Sequence, residues 1–108
     1  MRKIFLISLI FILALTFTAQ AEEIKIGACI YRFNDAFMLR FRNAMSDEAA
    51  KLGAKIELSD GRDDQNVQNE QIDAFINDGV NVLIINPVDR MASQPMIDKA
   101  KEKNIHVV

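Results

Sequence analysis

The residues with the most chemistry to offer stand together: Tyr31-Arg32-Phe33-Asn34-Asp35-Ala36-Phe37. Aromatic rings here flank a carboxylate, and the segment follows an apolar run and precedes a helical pattern. A sugar ring suits this combination. Its axial C–H groups form a weakly apolar face that lies on an aromatic plane, and its hydroxyls donate to a charged acceptor more strongly than to a neutral one. Asp35 is the candidate acceptor for two neighbouring hydroxyls, and Phe37 is the candidate plate for the ring face. A plainer reading of the same residues stays open: Asp35 caps the helix, and Phe37 is the first core residue of its apolar stripe.

Other chemistry is thinly supported. No G-x-G-x-x-G or G-x-x-x-x-G-K-[ST] is present, so no phosphate cradle is indicated. There is no G-x-S-x-G elbow. Asp60, Asp63 and Asp64 miss the calcium-loop spacing, because Arg62 holds the third position; they read as a solvated turn capping the second helix. Asp89 reads as a cap before the third. Cys29 lies in an apolar run and reads as a buried thiol. His106 has no second His or Cys beside it. No catalytic or metal-ligating residue is assigned, and the chain is expected not to be an enzyme.

The elements that must position the loop follow from periodicity. A mostly apolar strand runs from Ile24 to Ile30. Phe37, Phe41, Ala44, Met45, Ala49 and Leu52 recur at helical spacing, with Arg40, Arg42, Asp47 and Lys51 on other faces, and Gly53 ends that helix. Lys55–Ser59 alternates as a second strand with one wet face. A second helix runs from about Asn66 to Asp78 and closes at Gly79. Val80–Ile85 reads as a strand buried on both faces, ended by Pro87. Ala92, Met96, Ile97 and Ala100 mark a third helix to about Lys103, and a fourth strand begins at Ile105. Strict alternation predicts an α/β fold with a doubly wound parallel sheet, β2 at an edge and an order beginning 2-1-3. Ligands of such sheets sit outside the carboxyl ends of the strands, where the strand order reverses. The first loop lies there.

The chain has 108 residues, 13 Lys+Arg, 15 Asp+Glu, 50% hydrophobic residues and one cysteine. That excludes a polybasic nucleic-acid binder, a disordered chain and a disulfide scaffold. The apolar excess sits at the start. Met1-Arg2-Lys3 is followed by the apolar run Ile4–Phe17 and then Ala19-Gln20-Ala21, which reads as a cleavable secretory signal over 1–21. The run is shorter than the roughly 20 residues a membrane span needs. Residues 22–108 then form the exported, mildly acidic part. Ending inside its fourth strand, the chain reads as the front part of a longer protein and is expected to bind sugar weakly or not at all by itself.

The stretch Ile26-Gly27-Ala28-Cys29-Ile30-Tyr31-Arg32-Phe33-Asn34-Asp35-Ala36-Phe37-Met38 resembles the opening of periplasmic galactose/glucose-binding proteins, the receptors of methyl-galactoside ABC transporters. Gln68-Asn69-Glu70-Gln71-Ile72-Asp73 and Ile84-Ile85-Asn86-Pro87-Val88-Asp89 are similar to their next stretch, though the second is shared widely among sugar receptors. The resemblance implies a type I periplasmic-binding-protein lobe, the N-terminal one of two lobes that close on a monosaccharide. It implies Asp35 as acceptor of sugar hydroxyls and Phe37 as the stacking ring. Ala36 and Asn34 depart from the polar and acidic residues often found there, which puts the epimer preference in doubt. Implied partners are galactose or glucose, an ABC-transporter permease and a chemoreceptor, with a periplasmic, monomeric protein and no nucleic acid. The family's calcium ligands would lie beyond residue 108, leaving no cofactor in this stretch. An exported enzyme on a flavodoxin-like sheet is the competing class. It would need an acid–base pair or nucleophile at the same loops. A sugar-responsive repressor domain would need a DNA-binding segment where the export signal stands.

Overall fold

The computed structural model describes residues 21–108. The export segment read at 1–21 lies outside the described residues, Ala21 excepted. Seven elements alternate: β1 Lys25–Ile30, α1 Ala36–Lys51, β2 Lys55–Asp60, α2 Gln65–Asp78, β3 Val82–Ile85, α3 Gln94–Glu102 and β4 His106–Val107. Among the described residues no helix is long and apolar enough to cross a membrane.

The strands form one parallel sheet in the order β2-β1-β3-β4. Ile26 stands beside Ile56 on one side and Val82 on the other, and Leu83 beside Val107. The order reverses at β1, as the alternation of elements predicts. β1 is buried from Gly27 to Ile30, while β2 at the edge alternates between exposed and half-buried residues. β3 is less enclosed than its apolar run suggests: Leu83 is buried, and Val82, Ile84 and Ile85 are half-buried.

One face of the sheet carries the main core. Ile72, Phe75 and Ile76 of α2 and Ala100 of α3 pack on Cys29, Leu83, Val80 and Ile105. Phe75 needs the bare backbone of Gly27, because a Cβ there would stand 2.6–2.8 Å from its ring atoms. The helix ends obey cap chemistry. Asp64 accepts from the amides of Asn66 and Val67, and Gly79 closes α2 at φ 72°, the left-handed conformation that glycine adopts without a Cβ penalty.

On the other face lies α1, turned differently from the predicted stripe. Met38 and Ala49 are buried and Arg42 and Met45 half-buried, whereas Phe37, Phe41, Ala44 and Leu52 are exposed. Arg42 replaces an apolar residue on the inner side. Its guanidinium lies 3.8 Å from the centre of the Phe33 ring and donates to the Phe33 carbonyl at 3.3 Å. A cation on an aromatic face with its stem along apolar surface needs little water. The buried stripe therefore runs 38, 42, 45, 49: Met45 and Ala49 stand where the spacing put them, and Met38 and Arg42 take the places expected of Phe37 and Phe41.

Candidate functional site

Three loops meet at the carboxyl edge of the sheet. The first, after β1, is held to the third through Asn86, whose Oδ1 accepts from the Tyr31 amide at 3.3 Å while its own amide donates to the Cys29 carbonyl at 2.9 Å. The second, after β2, is fastened to the first by the Gly61 amide on the Ile30 carbonyl at 2.7 Å and the Asp63 amide on the Tyr31 carbonyl at 2.8 Å. That approach is too close for a side chain: a Cβ at position 61 would stand 2.9 Å from the Ile30 carbonyl oxygen. Arg62 and Asp63 follow with φ of 54° and 57°, a conformation non-glycine residues seldom hold.

Asp35 is the N-cap of α1, with extended backbone at φ −134°, ψ 131°. Its Oδ1 accepts from the amides of Phe37 at 2.8 Å and Met38 at 3.3 Å. Its Oδ2 accepts from the Tyr31 hydroxyl at 3.1 Å and lies 3.6 Å from Nη2 of Arg32. Each of these donors favours the charged form. The carboxyl is held below its ordinary range, first by the two amides at the head of α1 and then by Tyr31 and Arg32. Arg32 also faces Asp63 across the loops at 3.6 Å and lies 5.1 Å from the centre of the Tyr31 ring. Its own pKa is raised further, by Tyr31 first and Asp63 next. Beside this network Arg32, Asn34, Asp60, Arg62 and Asp63 line a polar cleft.

Phe37, two residues past the cap, is 67% exposed. Its ring is nearly parallel to that of Phe41, one turn on, at a centroid distance of 6.5 Å and an interplanar angle of 6°. The two plain alternatives for these residues thus separate. Asp35 does cap the helix, with one oxygen, and Phe37 is not a core residue. Asp35 and Phe37 stand at the head of α1, joined through the Phe37 amide, and the polar cleft beside them is lined by neither.

The glutamines of α2 organise this edge, and composition gives no hint of them. Gln68 is fully buried: its Nε2 donates to the carbonyls of Asn86 at 2.9 Å and Cys29 at 3.4 Å, and its Oε1 accepts from the Val88 amide at 3.0 Å. Gln71 donates to the Asp60 carbonyl at 2.7 Å, and Gln65 accepts from the Asp89 amide at 2.6 Å. Three glutamines spaced by three residues, directly after a strand-end loop, are the signal that marks them. Asp89 accepts from the amides of Met91 and Ala92 and so caps the turn ahead of α3.

Several side chains able to do nucleophilic or acid–base chemistry have structural surroundings here. Burial pushes the Cys29 thiol up to about 11, against a smaller opposing effect of Ser59, so it is no nucleophile near neutral pH. Asp60 accepts from the Arg62 amide, and Asp64 caps α2. His106 is exposed on the last strand. Among the described residues no group of three or more His, Cys, Asp or Glu is placed to hold a metal ion.

Comparison with known proteins agrees with this architecture. The chain is 39% identical over 89 residues to the D-galactose/methyl-galactoside binding periplasmic protein of Haemophilus influenzae, covering 82% of this chain and 27% of that protein. It is 29% identical over 91 residues to the ribose import binding protein of Bacillus subtilis, covering 84% and 30%. A crystal structure of an ABC transporter solute binding protein from Mycobacterium smegmatis with bound glycerol superposes with a TM-score of 0.75 at 30% identity, covering 80% of this chain and 30% of that one. The chain thus spans under a third of the length of these relatives, all three named as binding proteins. Residues 26–108 match the periplasmic binding protein domain, and the chain belongs to that family.

Proposed function

We propose that residues 22–108 form part of one lobe of an exported receptor that captures a hexose, galactose or glucose, in the periplasm and passes it to an ABC-transporter permease and a chemoreceptor. The observation that carries this reading is the pairing of a firmly ionised Asp35 with a Phe37 ring left 67% exposed at the strand-order reversal. The carboxylate takes sugar hydroxyls, and the ring takes the pyranose face. Single exposed apolar residues are common; what singles out Phe37 is the carboxylate two residues before it, and a sugar held by Asp35 would lay its apolar face on the ring. A second lobe supplies the remaining contacts, and calcium, where the receptor uses it, is held outside this stretch. The receptor works as a monomer and performs no covalent step.

Support for a hexose over a pentose or cyclitol comes from the Tyr31–Phe37 segment and from the galactoside-binding relative. The ribose-binding relative shows that this family takes other ligands. The test is a calorimetric panel on the full natural polypeptide carrying this sequence, with D-galactose, D-glucose, D-ribose, D-xylose and myo-inositol. Tightest binding of galactose or glucose is expected. A pentose or inositol bound more tightly than either overturns the hexose assignment, and silence toward the whole panel overturns the receptor reading.

A further inference from the structure

A carboxylate offers about four acceptor positions; three of those of Asp35 take hydrogen bonds, from the amides of Phe37 and Met38 and from the Tyr31 hydroxyl, and Arg32 stands 3.6 Å from Oδ2 as an ion pair. A ligand hydroxyl that takes the remaining position on Oδ2 competes with Arg32 for that oxygen. The amides are fixed by α1. The Tyr31 hydroxyl makes a hydrogen bond at 3.1 Å. Arg32 makes no hydrogen bond to Asp35: it stands 3.6 Å from Oδ2, with a second carboxylate, Asp63, at the same distance and the centre of the Tyr31 ring 5.1 Å away.

We propose that Arg32 is the group a ligand hydroxyl displaces from Asp35, and that Asp63 is the station that receives it. The inference rests on the receptor reading above. Arg32 is then a built-in competitor that sets affinity, and Asp63 sets the strength of the competition by drawing Arg32 away. Loss of Arg32 frees Oδ2 and tightens binding. Loss of the Asp63 charge leaves Arg32 with Asp35 alone and weakens binding. Neither change touches the core, since the side chains are 40% and 53% exposed. Asn at position 63 is also at home in the left-handed conformation found there.

The experiment measures galactose and glucose affinity of the full natural polypeptide and of Arg32→Met, Asp63→Asn and the double variant, at low and high NaCl. For a half-exposed ion pair the effects are expected to be about two- to fivefold: tighter for Arg32→Met, weaker for Asp63→Asn. The double variant should match Arg32→Met, because Asp63 acts only through Arg32. Salt should tighten binding by the unmodified protein and leave Arg32→Met unchanged. A merely structural Arg32 would give weaker binding on its removal and additive effects, and either result overturns the proposal. If the unmodified protein binds and Phe37→Ala weakens it while Arg32→Met does not tighten it, only this inference falls. If no sugar binds the unmodified protein, the receptor reading falls and takes this inference with it.

Discussion

The Oδ1 atom of Asp35 takes the amides at the head of α1, which leaves the helix end satisfied and fixes the charge at the sheet edge. Because the folded carboxyl is held below its ordinary value, its contribution to stability is present above the unfolded pKa and is lost only as pH falls through the lower folded value. Hexose affinity should accordingly be flat from roughly pH 8 to 5 and fall only in stronger acid. Titration calorimetry over that range checks this, and a loss of affinity centred near pH 6 would mean that another group carries the site. The placement of Asp35 and Phe37 at the start of the helix was legible in the sequence, because a cap residue is followed there by a helical pattern. The rotation that exposes Phe37 was not. Phe37 and Phe41 continue Met45 and Ala49 as regularly as Met38 and Arg42 do, and a charged residue counts against the correct pair until Phe33 is seen to receive its guanidinium.

Among the elements, β1 and α2 do most to hold the site in place. α2 reaches the sheet through Phe75, and the plane of its ring fills the space that Gly27 leaves. Gly27→Ala should force ring or strand to shift and cost about 1–3 kcal/mol, the usual range for overpacking a core. Urea unfolding of the two proteins measures it, and an unchanged midpoint would show that the contact is slack. Strands, helices and their order could be read from periodicity and from Gly53, Gly79 and Pro87, since these are local signals. Gln65, Gln68 and Gln71 could not. Each bonds to backbone brought near by the folding of another segment, and a glutamine that is buried for its hydrogen bonds looks in sequence like one on a wet surface.

For the whole molecule, the sheet carries α2 and α3 on one face but α1 alone on the other, where Ile26, Met45, Ala49, Leu52, Ile56 and Ile84 line an apolar groove beside the helix. The reversal of strand order at β1 gathers the three loops on one edge, so a single ligand can touch residues far apart in the chain. Under the proposed function the Phe37 ring is a stacking surface, and its removal should weaken hexose binding by roughly 1–3 kcal/mol without altering the fold, since it is exposed. The most direct test is the galactose affinity of Phe37→Ala against the unmodified full polypeptide, by calorimetry. A loss of that size with an unchanged unfolding midpoint is predicted, and equal affinities would contradict the account.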